Sequence, residues 1–125
     1  MIPDFNYQSH ITFGARMKRL WKQGKLPQVK KGLYGGELTN ENITNEHIVP
    51  KSKGGANNDS NMALATEANN NARGNEPIDK FVTQEQAEEY ANQFKGIKRH
   101  DFDGDSYIKK FWKAFKEAIS GGDNG

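Results

Sequence analysis

The chain has no cysteine, so neither a disulfide nor a cysteine-ligated zinc ion holds it together. Proline is scarce, at four residues in 125, and no apolar run approaches the length that spans a bilayer. The opening residues, MIPDFNYQSH, lack the charged start and apolar stretch of a secretion signal, and the expected setting is soluble and intracellular. A large charge excess is missing too. The formal net charge is +2, too small by itself to demand a polyanionic partner. What is present is 34% hydrophobic and 10% aromatic residues, enough large side chains for one small core. The charge is unevenly laid out. Residues 1–54 carry nine Lys or Arg against four Asp or Glu, so a polyanion would meet the N-terminal half first.

Helical spacing of Phe13, Met17, Leu20 and Trp21 predicts a helix over 9–23, with Arg16, Lys18, Arg19 and Lys22 on its other faces. Gly24 is suited to cap its end, and Pro27 bars continuation. Residues 26–49, broken by Gly32, Gly35 and Gly36, predict an irregular β-hairpin whose second strand enters at 43–47. A Gly- and Asn-rich loop, KSKGGANNDS, follows. Good helix formers then predict a helix over 61–71, ended by Gly74 and Pro77. Thr83 with Gln86 forms a capping box for a helix running to Phe94. Asp105 or Ser106 caps a last helix with an apolar stripe of Tyr107, Ile108, Phe111, Trp112, Phe115 and Ile119, and the tail SGGDNG is expected to fray. The string DFDGD has the wrong spacing for a calcium loop and predicts a turn.

The informative stretch is NEHIVPKSKGGANNDSNMALATEANNNARGN. Cleaving a phosphodiester needs a water stripped of a proton and relief of the charge developing on phosphorus and the leaving oxygen. Adjacent residues on a strand point to opposite faces, so His47 can face a water while Glu46 faces a metal ion. A hard cation prefers oxygen ligands, and an amide from Asn70 on the next helix is a second candidate. Arg73 is one turn beyond Asn70 and carries a fork of donors suited to phosphate, or else is a solvated helix-end charge. Asn61 is placed to cap that helix and tie the loop holding His47, with Asn57 and Asn58 as competitors. Because Asn69, Asn70 and Asn71 are consecutive, only the Asn-x-x-Arg-Gly spacing singles out Asn70.

The pattern Glu46-His47-Ile48-Val49-Pro50, Ser52, Gly54-Gly55, Asn61 and Asn70-Asn71-Ala72-Arg73-Gly74 resembles the HNH nuclease family. The His-to-Asn-to-Asn intervals of 14 and 9 are similar to those in the HNH domain of RNA-guided CRISPR nucleases. The resemblance covers roughly residues 30–78 and departs from the family in two ways. Asn70 stands where His is common, a variant also found in active members. The two Cys-x-x-Cys pairs that bind structural zinc in many members are replaced together, at Gly32, Gly35, Thr66 and Asn69.

The resemblance implies an α+β fold with a ββα-metal core and flanking helices. Within one structural domain the chain then divides into a basic helical arm (1–29), the nuclease core (30–80) and a C-terminal helical extension (81–125), the two flanks being read from their own helical spacing. It implies a metal-dependent endonuclease that hydrolyses DNA with Mg²⁺ or Mn²⁺ (Ni²⁺ being a further candidate) and needs no structural zinc. One such centre cuts one strand, so a monomer would nick and double-strand cleavage would need a dimer or a second strike; a monomer or weak dimer is expected. His47 would be the general base, with Glu46 and Asn70 holding the metal, Asn61 orienting the His47 loop and Arg73 steadying phosphate. Arg16, Lys18, Arg19, Lys22, Lys30, Lys31, Lys51 and Lys53 are candidate DNA contacts or, equally, a solubilising surface. Lys109, Lys110, Lys113 and Lys116 are assigned to the solvated face of the last helix, with DNA contact as the lesser reading. His10 and His100 are isolated and poor candidates for metal ligands. Trp21, Trp112 and Phe115 are expected to replace the zinc as scaffolding. The rival readings are a silent DNA-binding module and a partner-directed subunit or toxin domain, with an immunity protein or phage packaging terminase as partner.

Overall fold

A computed structural model of the chain describes residues 16–124. Residues 9–15 of the first expected helix, with Phe13 and His10, lie outside the described residues. Helix α1 spans Arg16–Lys22 and buries Met17 and Leu20. Gly24, at φ +76°, ends it: the Gly24 N–H donates to Trp21 O at 2.9 Å and the Lys25 N–H to Leu20 O at 3.0 Å. A left-handed residue closing two orphan carbonyls is the reason for glycine here.

Residues 26–42 bury Leu26, Val29, Leu33, Tyr34 and Leu38 but form only one isolated bridge, Lys31 to Glu37. The hairpin expected within 26–49 is therefore not the one that forms. Strand β1 (Ile43–His47) pairs antiparallel with β2 (Met62–Thr66), in a register running from Ile43↔Thr66 to His47↔Met62. The helix expected over 61–71 is split accordingly. Its first half is β2, and α2 occupies only Glu67–Arg73.

The reason is tertiary. Met, Ala and Leu favour helix in isolation, but all five residues of β2 are buried, as in a strand covered on both faces. Beyond β1, its backbone is taken up by other partners. Leu33 N–H donates to Leu64 O at 2.8 Å, Leu64 N–H to the Tyr90 hydroxyl at 2.9 Å, and the Tyr107 hydroxyl to Met62 O at 2.6 Å. Thr66, not Asn61, caps α2, accepting from the Asn69 N–H at 3.2 Å.

Helix α3 (Ile78–Phe81) precedes α4 (Gln84–Asn92), which opens on the expected capping box between Thr83 and Gln86. A two-residue ribbon, β3 (Lys98–Arg99) with β4 (Phe102–Asp103), leads into α5 (Gly104–Asn124). Helical backbone thus continues through most of the tail expected to fray; its glycines lower helix propensity without removing a hydrogen-bonding group. In the DFDGD turn, Lys98 Nζ bridges Asp103 and Asp105, each at 3.2 Å.

The core joins α4 and α5 to β2 through aromatic rings. Tyr90, Phe94, Tyr107 and Phe111 are fully buried, with ring centroids 4.6 Å apart for Phe94–Tyr107 and 5.4 Å for Tyr90–Phe111. The Tyr90 and Tyr107 hydroxyls lie 2.9 Å apart, so each buried phenol is satisfied while pinning β2. Burial pushes both phenols above their ordinary range. These four rings form the centre of the core, and the packing expected of Trp112 on Phe115 is present beside it, with Trp21 and Trp112 against the core. Trp112 stacks within its own helix, edge-on to Phe115 at 5.4 Å, and Trp21 donates to Val29 O at 2.6 Å. Among the described residues no helix is long and apolar enough to cross a membrane.

Candidate functional site

Strand alternation sorts β1 into two faces. Thr44 and Glu46 share one face with their partners Ala65 and Ala63, while Ile43, Asn45 and His47 point the other way. Ala63 and Ala65 present only methyl groups, which lets α2 lie close to the ribbon. Residues three apart on α2 then meet residues two apart on β1. Asn70 Nδ2 donates to Thr44 Oγ1 at 3.0 Å and to Asn45 O at 3.3 Å, and Arg73 reaches Glu46.

The Glu46–Arg73 contact revises one expectation. Arg73 does not project into solvent from the helix end; it is 2% exposed and turned inward. Its Nη1 lies 3.1 Å from Glu46 Oε2 and donates to His47 O at 2.9 Å, Nη2 donates to Ile48 O at 3.3 Å, and Nε donates to Glu76 O at 2.8 Å. With its donors committed to protein acceptors, the guanidinium locks the exit of β1 instead of gripping a phosphate. Glu46, 6% exposed, also accepts from the Tyr34 hydroxyl at 2.6 Å. Burial, then the neighbouring Glu46 carboxylate, drives the Tyr34 phenol far above its usual range, so it stays a donor.

His47 is half-buried at the end of β1. Its Nε2 lies 2.8 Å from Asn57 Oδ1. An amide oxygen only accepts, so this contact puts the proton on Nε2 and leaves the Nδ1 lone pair to take a proton. The residue holding the imidazole is therefore Asn57, one of the amides the sequence left in competition with Asn61.

Asn61 works on the backbone behind it. Its Oδ1 accepts from Val49 N–H at 2.8 Å, and its Nδ2 donates to Val49 O at 2.9 Å and Ala56 O at 3.0 Å. These bonds tie both ends of the 49–56 loop. Gly55 is required here, because a Cβ would overlap the Val49 carbonyl oxygen and crowd the Asn61 amide. Gly54, at φ +88°, closes the turn over Lys51–Lys53.

Glu46 and Asn70 both keep one oxygen outside these contacts. Tyr34 and Arg73 hold Glu46 by Oε2, and Asn70 is held by its nitrogen, which turns Oδ1 away from the strand. Such a pair fits a hard ion that keeps several waters and takes phosphate oxygens as further ligands. No group of three or more His, Asp or Glu side chains suited to a metal occurs among the described residues. Arg73 offsets the Glu46 charge, so the pair attracts a lone cation weakly. Asn45 Oδ1, beside this pair on the opposite face of β1, is buried without a hydrogen-bond partner among the described residues.

The four positions where the resemblance places absent zinc ligands come together in space. A Cβ added at Gly32 would lie 2.9 Å from Ala65 Cα, so this loop sits directly on β2. Asn69 Nδ2 donates to Gly35 O at 3.2 Å and Tyr34 O at 3.5 Å, while its backbone N–H is capped by Thr66. A hydrogen-bonded amide clasps the two segments.

Of the candidate nucleic-acid contacts, Arg19, Lys22, Lys30, Lys31, Lys51 and Lys53 are exposed and Lys18 is half-buried. Arg16, half-buried, pairs with Asp59 at 3.7 Å and donates to Asp101 O at 3.5 Å. Burial raises the Asp59 carboxyl above its ordinary value, opposed by Arg16, Lys110 and Arg19. His100 is exposed. Tyr34, Asn57 and Asn69 were missed as site-supporting residues, and only the competition among the loop amides hinted at Asn57. Compared with known proteins, the chain matches no family model, no curated sequence and no solved structure.

Proposed function

We propose that the chain is a metal-dependent nuclease of HNH type that hydrolyses DNA phosphodiester bonds. The hydrogen bond between His47 Nε2 and Asn57 Oδ1 carries this reading, because it orients an accessible imidazole with Nδ1 as the basic atom. His47 Nδ1 takes a proton from water as the water oxygen attacks phosphorus, and one P–O ester bond breaks, its electron pair leaving with the sugar oxygen, which takes a proton from solvent water. Glu46 and Asn70 would hold the cation through the oxygens left outside their hydrogen bonds. A bound Mg²⁺ or Mn²⁺ supplies Lewis-acid stabilisation of the charge developing on the phosphate. Arg73 and Tyr34 act as positioning residues for Glu46, and Asn61 for the loop. The strand–strand–helix order of β1, β2 and α2, and the meeting of Gly32 and Gly35 with Thr66 and Asn69, support the resemblance.

The test is supercoiled plasmid with purified protein and Mg²⁺, Mn²⁺ or Ni²⁺. Nicking is expected, and His47→Ala should slow it about 10²–10⁴-fold, the usual share of a general base. An equally fast His47→Ala protein sinks the assignment. One observation favours a second reading: the cationic Arg73 already occupies Glu46 Oε2, as it would in a non-catalytic DNA-binding scaffold. Plasmid binding without cleavage under all three metals selects that reading.

A further inference from the structure

We propose that the groove between the 49–61 loop and α5 seats the sugar–phosphate backbone of DNA beside the reacting bond, with Lys110 and Lys113 as its phosphate contacts. This rests on the nuclease reading above and extends it to a helix outside the 30–78 stretch that carries the resemblance. The groove has a volume of about 380 Å³, with Val49, Gly55, Ser60 and Asn61 on one wall and Lys110 and Lys113 on the other.

Its position is the first argument. Val49 follows His47 by two residues, and Asn61 clamps Val49 and Ala56, so the loop that forms the wall also carries Asn57, the partner of the imidazole. α5 packs against the 59–61 turn, which fixes its lysines relative to that loop. The second argument is chemical. Lys110 and Lys113 are three apart on one helix face, both exposed, and neither forms an ion pair among the described residues. The opposite wall offers a serine hydroxyl and glycine backbone, a lining suited to phosphate oxygens. Glu117 lies at the groove as well, and Asp59, near Lys110, is balanced by Arg16. Lys51 and Lys53 extend the positive charge along the same loop.

The test is binding of the full chain to a fluorescent 20-base-pair duplex in EDTA, read by anisotropy at several salt concentrations. K110Q/K113Q should weaken binding about tenfold and make the slope of log affinity against log salt shallower by about 1.8, about 0.9 per lost phosphate contact. K80Q/K95Q, which changes exposed lysines elsewhere, should alter neither. An unchanged slope in K110Q/K113Q, an equal loss in K80Q/K95Q, or no binding by the parent overturns the proposal. A dye on Lys113→Cys, the sole cysteine in the labelled chain, should respond to duplex while the same dye on Lys95→Cys does not. A silent Lys113 label likewise overturns it. Since no metal is present, failure of the nuclease reading leaves this readout intact: a chain that binds through these lysines without nicking loses only its catalytic assignment.

Discussion

The Arg73 guanidinium lies 3.1 Å from the Glu46 oxygen that the Tyr34 hydroxyl also approaches, at 2.6 Å, in a region almost closed to water. Removing one partner of such a pair strands a buried charge. Arg73→Ala should therefore lower the unfolding free energy by about 3–5 kcal/mol, measured by urea denaturation. The double variant Glu46→Gln/Arg73→Met should recover part of that loss. An Arg73→Ala protein as stable as its parent would mean that the guanidinium serves the surface instead.

Asn57 and Asn61 should separate cleanly. Asn57 is exposed and, among the described residues, holds only the imidazole, so Asn57→Ala should keep the melting temperature while reducing nicking. The reduction should be about 10-fold or more, up to the 10²–10⁴-fold that a general base itself contributes. Asn61→Ala orphans the Val49 N–H and should cost about 1–3 kcal/mol of stability before any effect on rate is seen. Equal thermal losses in both variants would undo the distinction.

Gly55→Ala is expected to be the most damaging small change in the loop, because the new methyl group would overlap the Val49 carbonyl oxygen. Gly54→Ala meets no atom within 4 Å and is disfavoured only by its φ of +88°. Thermal denaturation of the two should rank Gly55→Ala well below Gly54→Ala, and the reverse order would refute the placement of this turn.

Asp59 gives a pH signature of known sign. Burial raises its carboxyl above the ordinary value of 3.8, so the folded chain binds that proton more tightly than the unfolded chain does. The resulting loss of stability sets in as pH rises from 3.8 through the raised folded value, and persists above it. Asp59→Asn should thus be more stable than the parent at pH 7, with the gap closing towards pH 3.5. A gap that widens on acidification would mean that the Arg16 contact, at 3.7 Å, outweighs burial.

Local signals were legible in the sequence and tertiary ones were not. The Thr83–Gln86 capping box and the Gly24 helix end involve residues three to five apart, so their chemistry is complete within the segment. β2 was misread as helix because MALAT becomes a strand only when Leu33, β1 and the Tyr90 and Tyr107 hydroxyls claim its backbone. The inward turn of Arg73 depends on Tyr34 and Glu46, which lie 39 and 27 residues away, and no spacing rule reports that. At the candidate site, the spacing located the loop amides but not their division of labour. That division follows from which of them faces the imidazole and which faces the Val49 peptide.

The Asn69 clasp has a practical consequence. A fold held by zinc collapses when the metal is stripped, whereas this one is closed here by amide-to-carbonyl bonds that neither chelators nor oxidants attack. On the nuclease proposal, EDTA should then act as a pure off-switch, stopping cleavage while the molecule stays folded and able to hold a duplex.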